Sequence, residues 1–422
     1  STMVAQVPLS EYRRPVEWAL ARERELFKAA KSWDAGAPTD VRGLKVAHDI
    51  PVVDLEGYLA GTPGAAAVAA AQLRSACAGV GFYHITGYHS VLPVELLRAA
   101  FRATEQYFAQ PEDVKLKAEV GTVSPLVQAS RTGYTRLGAR MLPPRAKGNL
   151  LESFILSNHG RALYDTQLAI CRAEAEAAGG DAAKVDPAEL PFAPSGALPW
   201  PVDLGPSWRQ VVEDYIAHMN ALATKLLGLV ALALGLDEGH FDHALVPPGP
   251  LWRLRMCAYP ADQQRVAEGS YGMPPHVDTS LLTIVASEEP DEPGLALQCE
   301  SLGGWVRAPA RPGALLVNSG DVLQCMTNDV WPAARHYVGN PSDTTTRFSL
   351  AYFINATPAV RMEVVPSFVS PERPAKYLPT SWIEGQGVHR GGFFQLAQPP
   401  VQRRERQAEL QGKLKPRSCH VS

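Results

Sequence analysis

The sequence predicts a mainly β protein with helices, an antiparallel sandwich or barrel in the C-terminal half, backed by one long helix and preceded by a mixed helical region. Three observations predict this. After Pro250 the chain breaks into short β-branched and aromatic runs separated by Gly, Pro and Asp, the spacing expected of a sandwich or barrel. Just before them, one uninterrupted stretch repeats apolar residues at helical spacing. The chain of 422 residues, 46% hydrophobic and 20% charged, is long enough to bury a large core as one large domain or two ordinary ones.

The elements follow in order. Residues 10–31 have helical composition. "HDIPVVDLEGYL" carries a short β-branched run that enters a turn. "AAAVAAAQLRSACAGVGFYHITGY" gives an Ala-rich helix closed by Gly79, then a strand over residues 82–86. "VLPVELLRAAFRATEQYFAQP" is an amphipathic helix with Leu96, Leu97, Ala100, Phe101, Thr104 and Phe108 on one side, and Pro111 stands just beyond its end. Residues 173–195, rich in Ala, Pro and acid and poor in large apolar groups, read as an insertion or surface excursion without a catalytic role.

The long helix has a candidate N-cap at Ser207. Its apolar positions are Trp208, Val212, Tyr215, Met219, Leu222, Leu226 and Leu229 or Val230, with Gly235 as C-cap. Roughly 28 residues at 1.5 Å each make a rod of about 40 Å, enough to back a whole sheet. The strand candidates after it are "WRLRMCAY", "SLLTIVAS", "LALQCE", "GWVRAPA", "ALLVNSG", "VLQCM", "ARHYVG" and "RFSLAYFINA". The tail from Gln402 loses periodicity and reads as a frayed helix or disorder. The expected division is an N-terminal helical extension over 1–50, a helical and strand region over 51–245, a β core over 246–360 and a C-terminal extension over 361–422.

Charge and cysteine usage exclude several function classes. A net charge of −3 and a pI near 6.4 give no electrostatic reason to expect nucleic acid or an anionic membrane surface as partner. The six cysteines are scattered without CxxC pairs, so they suggest neither a zinc ribbon nor a disulfide framework. No stretch approaches about 20 uninterrupted apolar residues, and the N-terminal segment lacks the apolar core of a signal peptide. The expectation is a soluble cytoplasmic protein, monomeric or weakly self-associating.

The chemistry concentrates in the β-rich half. In "PPHVDTSLLTI", His276 and Asp278 lie two apart, which on an extended chain places both on one face at the mouth of a buried strand. About sixty residues on, His336 lies between two strand-like runs, and Arg347-x-Ser349 alternates on the next strand. Two histidines and a carboxylate on a rigid sheet are the donor set of a non-haem Fe(II) facial triad, which leaves three positions open. A guanidinium fork beside a hydroxyl suits a carboxylate. Metal plus dicarboxylate is the combination these residues offer.

With those residues in hand, the chain from Pro51 to about Thr357 resembles the isopenicillin N synthase-like branch of the Fe(II)/2-oxoglutarate-dependent oxygenases. Its marks, in order, are "IPVVDL", "GVGFYHITGYH", "ALPWP", "RMCAYP", "HVDTSLLTI", "GWVRAPARPGALLVNSGDVLQCMTND", His336 and "RFSLAYF". The resemblance implies a double-stranded β-helix (jelly-roll) core, Fe(II) held by His276, Asp278 and His336, and 2-oxoglutarate held by Arg347, Ser349 and Tyr259. It further implies that O2 and 2-oxoglutarate are consumed, with succinate and CO2 formed, while a small molecule is hydroxylated, desaturated, cyclised or epoxidised in natural-product biosynthesis. Three positions depart from the family pattern: Cys257 stands for a common asparagine, Tyr337 for the arginine after the distal histidine, and "TND" at 327–329 for "SNG".

For the substrate, the loop cluster Arg131, Arg136, Arg140, Arg145 and Lys147 precedes "NLLESF", where the family contributes substrate-facing residues. One of these arginines, with Tyr134, is expected to meet an anionic group; the bland alternative is a solvated loop. His84, His89, His218 and His243 read as ordinary core or surface residues. Two rivals stand beside the main reading: an oxidase of the same fold that uses no 2-oxoglutarate, and a jelly-roll binding protein without chemistry.

Overall fold

The computed structural model describes residues 37, 41–118, 132–138, 150–177, 179–184, 198–245, 250–261, 271–288, 294–339, 345–358, 360–377 and 379–381. The expected helix over 10–31 and the tail from Gln402 lie outside the described residues. The first half comprises β1 (Val52–Asp54), α1 (Glu56–Leu59), α2 (Ala65–Gly79), β2 (Phe82–Thr86), α3 (Val94–Phe108), α4 (Glu112–Leu116), β3 (Gly133–Thr135), β4 (Glu152–Ser157), α5 (His159–Ala177) and α6 (Gly205–Leu234). The second half adds β5 (Leu251–Tyr259), β6 (Met273–His276), β7 (Leu282–Ser287), β8 (Leu295–Cys299), β9 (Gly304–Arg307), β10 (Leu315–Ser319), α7 (Asp321–Met326), β11 (His336–Val338) and β12 (Arg347–Asn355).

Two sheets form the jelly roll. The larger runs β1-β2-β10-β7-β12-β5-β4-β3 and the smaller β6-β11-β8-β9, with every pair antiparallel except β1–β2. Period-two alternation decides which side chains meet where. On the outer face Leu350, Tyr352 and Ile354 of β12, Leu282 and Ile284 of β7, Leu315 and Val317 of β10, and Leu254 and Met256 of β5 join one apolar core with the helices. The alternate residues face the space between the sheets. Register sets them in rows: Asn318, Thr283, Phe353 and Arg253 in one, and His84, Leu316, Val285, Ala351 and Arg255 in the next.

Helix α6 supplies the backing rod that the sequence predicts. Leu222, Leu226, Leu227, Leu229 and Val230 are wholly buried in the outer core, each worth about 1.5–3 kcal/mol relative to exposure. By length and composition this helix could cross a bilayer, but its apolar side is packed inside the protein. Gly235 closes it in the left-handed conformation (φ 80°), where a side chain would be strained.

Two expectations need correction. Ser207 lies inside α6, whose N-cap is Leu204 with Pro206 in the first turn, the position where proline's missing N–H costs nothing. The first residues of 173–195 continue α5 to Ala177, with Ala173, Glu176 and Ala177 exposed, so this start of the expected excursion is a helical one on the surface. "VLQCM" is helix α7 and not a strand. Its buried residues Val322, Leu323, Cys325 and Met326 follow helical spacing, and Thr327 closes the turn by donating to the Leu323 carbonyl at 2.9 Å.

Candidate active site

His276 ends β6 and His336 begins β11, and the two are register partners across the smaller sheet. Their ring centroids are 4.3 Å apart. Asp278 follows β6 in the loop to β7. Its Oδ1 lies 3.4 Å from His276 Nε2 and 3.7 Å from His336 Nε2, and one donor atom from each of the three residues falls within 4.8 Å of the others. The sequence pair and the distant histidine are thus brought to one point.

Backbone and side chains around the triad fix its orientation. His276 Nδ1 lies 2.8 Å from the Pro274 carbonyl and His336 Nδ1 3.0 Å from the Ala334 carbonyl. Each Nδ1–H therefore donates to the backbone, which leaves each Nε2 lone pair aimed at the shared point. Asp278 Oδ2 accepts from Thr283 Oγ1 at 2.7 Å and Asn318 Nδ2 at 2.8 Å, so Oδ1 is turned towards the imidazoles. The Asp321 N–H holds the Asp278 carbonyl at 2.9 Å. Gly320 lets that turn close: a Cβ there would strike the Ser280 carbonyl. Phe82 packs edge-on against His336 at 5.3 Å.

Electrostatics agree with a cation site. Burial first, then the neighbouring His276, pushes the His336 imidazole down to about 4, so it is neutral near pH 7. Burial alone would raise the Asp278 carboxyl; the imidazoles and the Asn318 amide outweigh it and hold the group well below the usual carboxylate range. With His336 neutral, the hydrogen bonds keep the aspartate ionised. An imidazole pair with one buried carboxylate, each oriented from behind, fits a ferrous ion bound on one face.

The residues expected to hold the cosubstrate lie on the inner face of the larger sheet. Arg347 starts β12 with its guanidinium carbon 4.1 Å over the Tyr259 ring, and the two are register partners. Ser349 hydrogen-bonds the Tyr259 phenol, which burial pushes up to about 12. Arg347 is buried, and its Nε and Nη2 have no hydrogen-bond partner among the described residues. A buried, unsatisfied guanidinium fork is costly unless something accepts from it, and a carboxylate does so in two places. Cys257 pairs with Ser349 in register and is buried, so the departure from asparagine changes the wall of this pocket. Tyr337 points away, packed with Tyr271 and Trp305, and its departure belongs to the outer core of the smaller sheet.

The substrate expectations fare differently. Tyr134 is buried in the outer core beside Tyr107 and donates to Glu152 Oε2 at 2.7 Å, which removes it from the substrate side. Its strand pairs with β4 with the ring on the face opposite the triad, a choice that spacing alone could not make. Arg136 is exposed two residues further on. Arg131, Arg140, Arg145 and Lys147 lie outside the described residues.

Sequence reasoning missed four contributors. Thr283 and Asn318 orient Asp278; the signal was a polar residue inside each apolar strand run, which when buried must find a partner. Arg253 and Arg255 alternate within "WRLRMCAY" and thereby share the inner face.

Comparisons with known proteins agree with this geometry. Residues 252–356 match the family described as the 2OG-Fe(II) oxygenase superfamily, and residues 50–168 match the non-haem dioxygenase in morphine synthesis N-terminal family. Together the two matches span more than half of the chain. The chain is 27% identical over 346 residues to jasmonate-induced oxygenase 2 of Arabidopsis thaliana, covering 82% of this chain and 80% of that protein. It is 26% identical over 349 residues to the 2-oxoglutarate-Fe(II) type oxidoreductase hxnY of Emericella nidulans, covering 82% and 89%. Among solved structures, the dioxygenase for auxin oxidation in rice superposes with a TM-score of 0.56 at 23% identity, covering 86% of this chain and 96% of that one. JOX2 in complex with 2OG, Fe and JA gives 0.59 at 22%, covering 87% and 94%.

Proposed function

Because the chain belongs to the 2OG-Fe(II) oxygenase superfamily, in its isopenicillin N synthase-like branch, we propose that its substrate is a small anionic molecule, oxidised in the cytoplasm in secondary metabolism. The enzyme is a non-haem Fe(II)- and 2-oxoglutarate-dependent dioxygenase acting on a small molecule. When bound, Fe(II) supplies the oxidising chemistry, with O2 consumed and 2-oxoglutarate decarboxylated to succinate and CO2. His276, Asp278 and His336 would hold the ion and leave one face open. Arg347 and Ser349 would take the distal carboxylate of 2-oxoglutarate, with Tyr259 stacked behind the guanidinium. Which substrate bond is oxidised then depends on which one the pocket presents to the open face.

The anionic reading rests on β5. Arg253 and Arg255 put two guanidinium groups on the inner face, where Arg255 Nη2 lies 3.3 Å from Ser153 Oγ and Nη1 3.9 Å from Met273 Sδ. Met273 stands three residues before His276 on β6, so Arg255 reaches the strand that carries the first histidine of the triad. Fixed positive charge in a low-dielectric pocket favours an anion. Secondary metabolism is supported by the match to a family described from morphine synthesis, and the cytoplasm by four buried free thiols, Cys77, Cys257, Cys299 and Cys325.

The test is succinate release across a panel of small carboxylates and their neutral amides, followed by Arg255→Gln with the best substrate. The expected result is turnover of acids only, and a KM for the primary substrate raised about 10-fold or more, with substrate-independent decarboxylation of 2-oxoglutarate nearly intact. Turnover of the amides as fast as the acids would end the anionic reading.

A further inference from the structure

His84 lies in the middle of β2, opposite Leu316 in register and therefore on the inner face of the larger sheet. It is 3% exposed, and its Nδ1 is buried without a hydrogen-bond partner among the described residues. The ring lines a small cavity, partly open to solvent, that it shares with Arg347. Between them the walls are largely apolar, with Val285, Leu295 and Leu316, and the exposed Arg311 stands at the edge. Two buried nitrogen-bearing side chains, both on the inner face of the larger sheet and lining one cavity, are left without an acceptor or donor among the described residues. Native interiors seldom leave such groups unmet, so a ligand with an oxygen for each is the economical explanation.

We propose that His84 is a second cosubstrate-binding residue, donating a hydrogen bond to the distal carboxylate of 2-oxoglutarate that Arg347 of the same sheet holds, with Arg311 drawing the dianion to that end. The proposal rests on the cosubstrate reading and goes beyond it, since β2 carries no part of the expected cosubstrate set. A carboxylate has about four acceptor sites, more than one guanidinium and one hydroxyl fill. Burial, and then Arg311, lower the imidazole to about 4, so near neutral pH it is uncharged and carries one N–H to give.

The experiment is anaerobic titration of the Fe(II)-loaded protein with 2-oxoglutarate, read by the visible charge-transfer band of the chelate and by calorimetry. His84→Leu should raise the Kd for 2-oxoglutarate about 10-fold, and His84→Gln, which keeps an N–H donor, should restore most of it. Pyruvate, a 2-oxo acid without the distal carboxylate, should bind wild type and His84→Leu alike. Equal weakening of both acids would assign His84 a purely structural role and overturn the proposal, as would an unchanged Kd for 2-oxoglutarate. Wild type that binds pyruvate and 2-oxoglutarate equally would instead remove the cosubstrate reading at Arg347, and this proposal with it. Should His84→Leu not fold, wild-type NMR decides: the His84 ring signals must move when glutarate saturates the metal-free protein, and stationary signals refute the contact.

Discussion

At the scale of single residues, the triad is held from behind as firmly as from its own backbone. Thr283 and Asn318 both occupy Oδ2 of Asp278. Thr283→Val keeps the shape and removes one of those bonds, so Fe(II) affinity should fall about 10-fold in a metal-competition titration while the fold persists; an unchanged affinity would leave the orientation to Asn318 alone. The histidines carry a pH prediction. His84 and His336 are both lowered to about 4 from an ordinary 6.5, so between those values the unfolded chain binds more protons than the metal-free native state. Stability should therefore be full above about pH 6.5 and fall as pH drops towards about 4, by about 3 kcal/mol from His84. Denaturation of the metal-free His84→Leu protein across that window should show a shallower loss than wild type. His276, Asp278 and His336 were legible in the sequence because ligand chemistry restricts residue type and spacing. Thr283, Asn318 and the inward aim of His84 were not, because each depends on which way a strand faces.

At the scale of elements, register separates the residues that face the candidate site from their neighbours. Tyr134 lies on β3, whose pairing with β4 turns it outward into a buried cluster: Lys115 Nζ of α4 and the Tyr134 hydroxyl both reach Glu152 Oε2, at 2.6 and 2.7 Å. This staple ties α4, β3 and β4 together. Tyr134→Phe should cost about 1.5–3 kcal/mol in denaturant unfolding and leave the substrate KM unchanged. Lys115→Met should cost more, about 3–5 kcal/mol, because it removes one partner of a buried ion pair and leaves the other without it. A raised substrate KM in Tyr134→Phe would return that residue to the substrate side. The same scale explains why "VLQCM" misled: five apolar residues fit a strand or a helix turn equally well, and only the extended Gly320 before them and the Thr327 bond after them settle it. Strands β7, β10 and β12 were readable because both faces are filled, one by the outer core and one by the site.

At the scale of the whole molecule, the site is stable because two layers do separate work. The outer layer, α6 and its neighbours against the larger sheet, carries the apolar burial; the inner layer is free to hold charge, unsatisfied nitrogen and a cavity. A long amphipathic helix before a strand-rich half made the first layer visible in sequence, whereas closure of the two sheets over the triad needs contacts from residues sixty apart. Division of labour makes a prediction. Leu226 is wholly buried on α6, remote in the layering from every ligand atom. Leu226→Ala should cost about 2–5 kcal/mol in chemical denaturation, from lost transfer energy and the cavity left behind. Below the unfolding transition its Fe(II) and 2-oxoglutarate affinities should equal those of wild type, since the inner rows are set by sheet register and their own hydrogen bonds. Were both affinities to fall with stability, the helix layer would be shaping the site directly, and the separation of the two layers would be wrong.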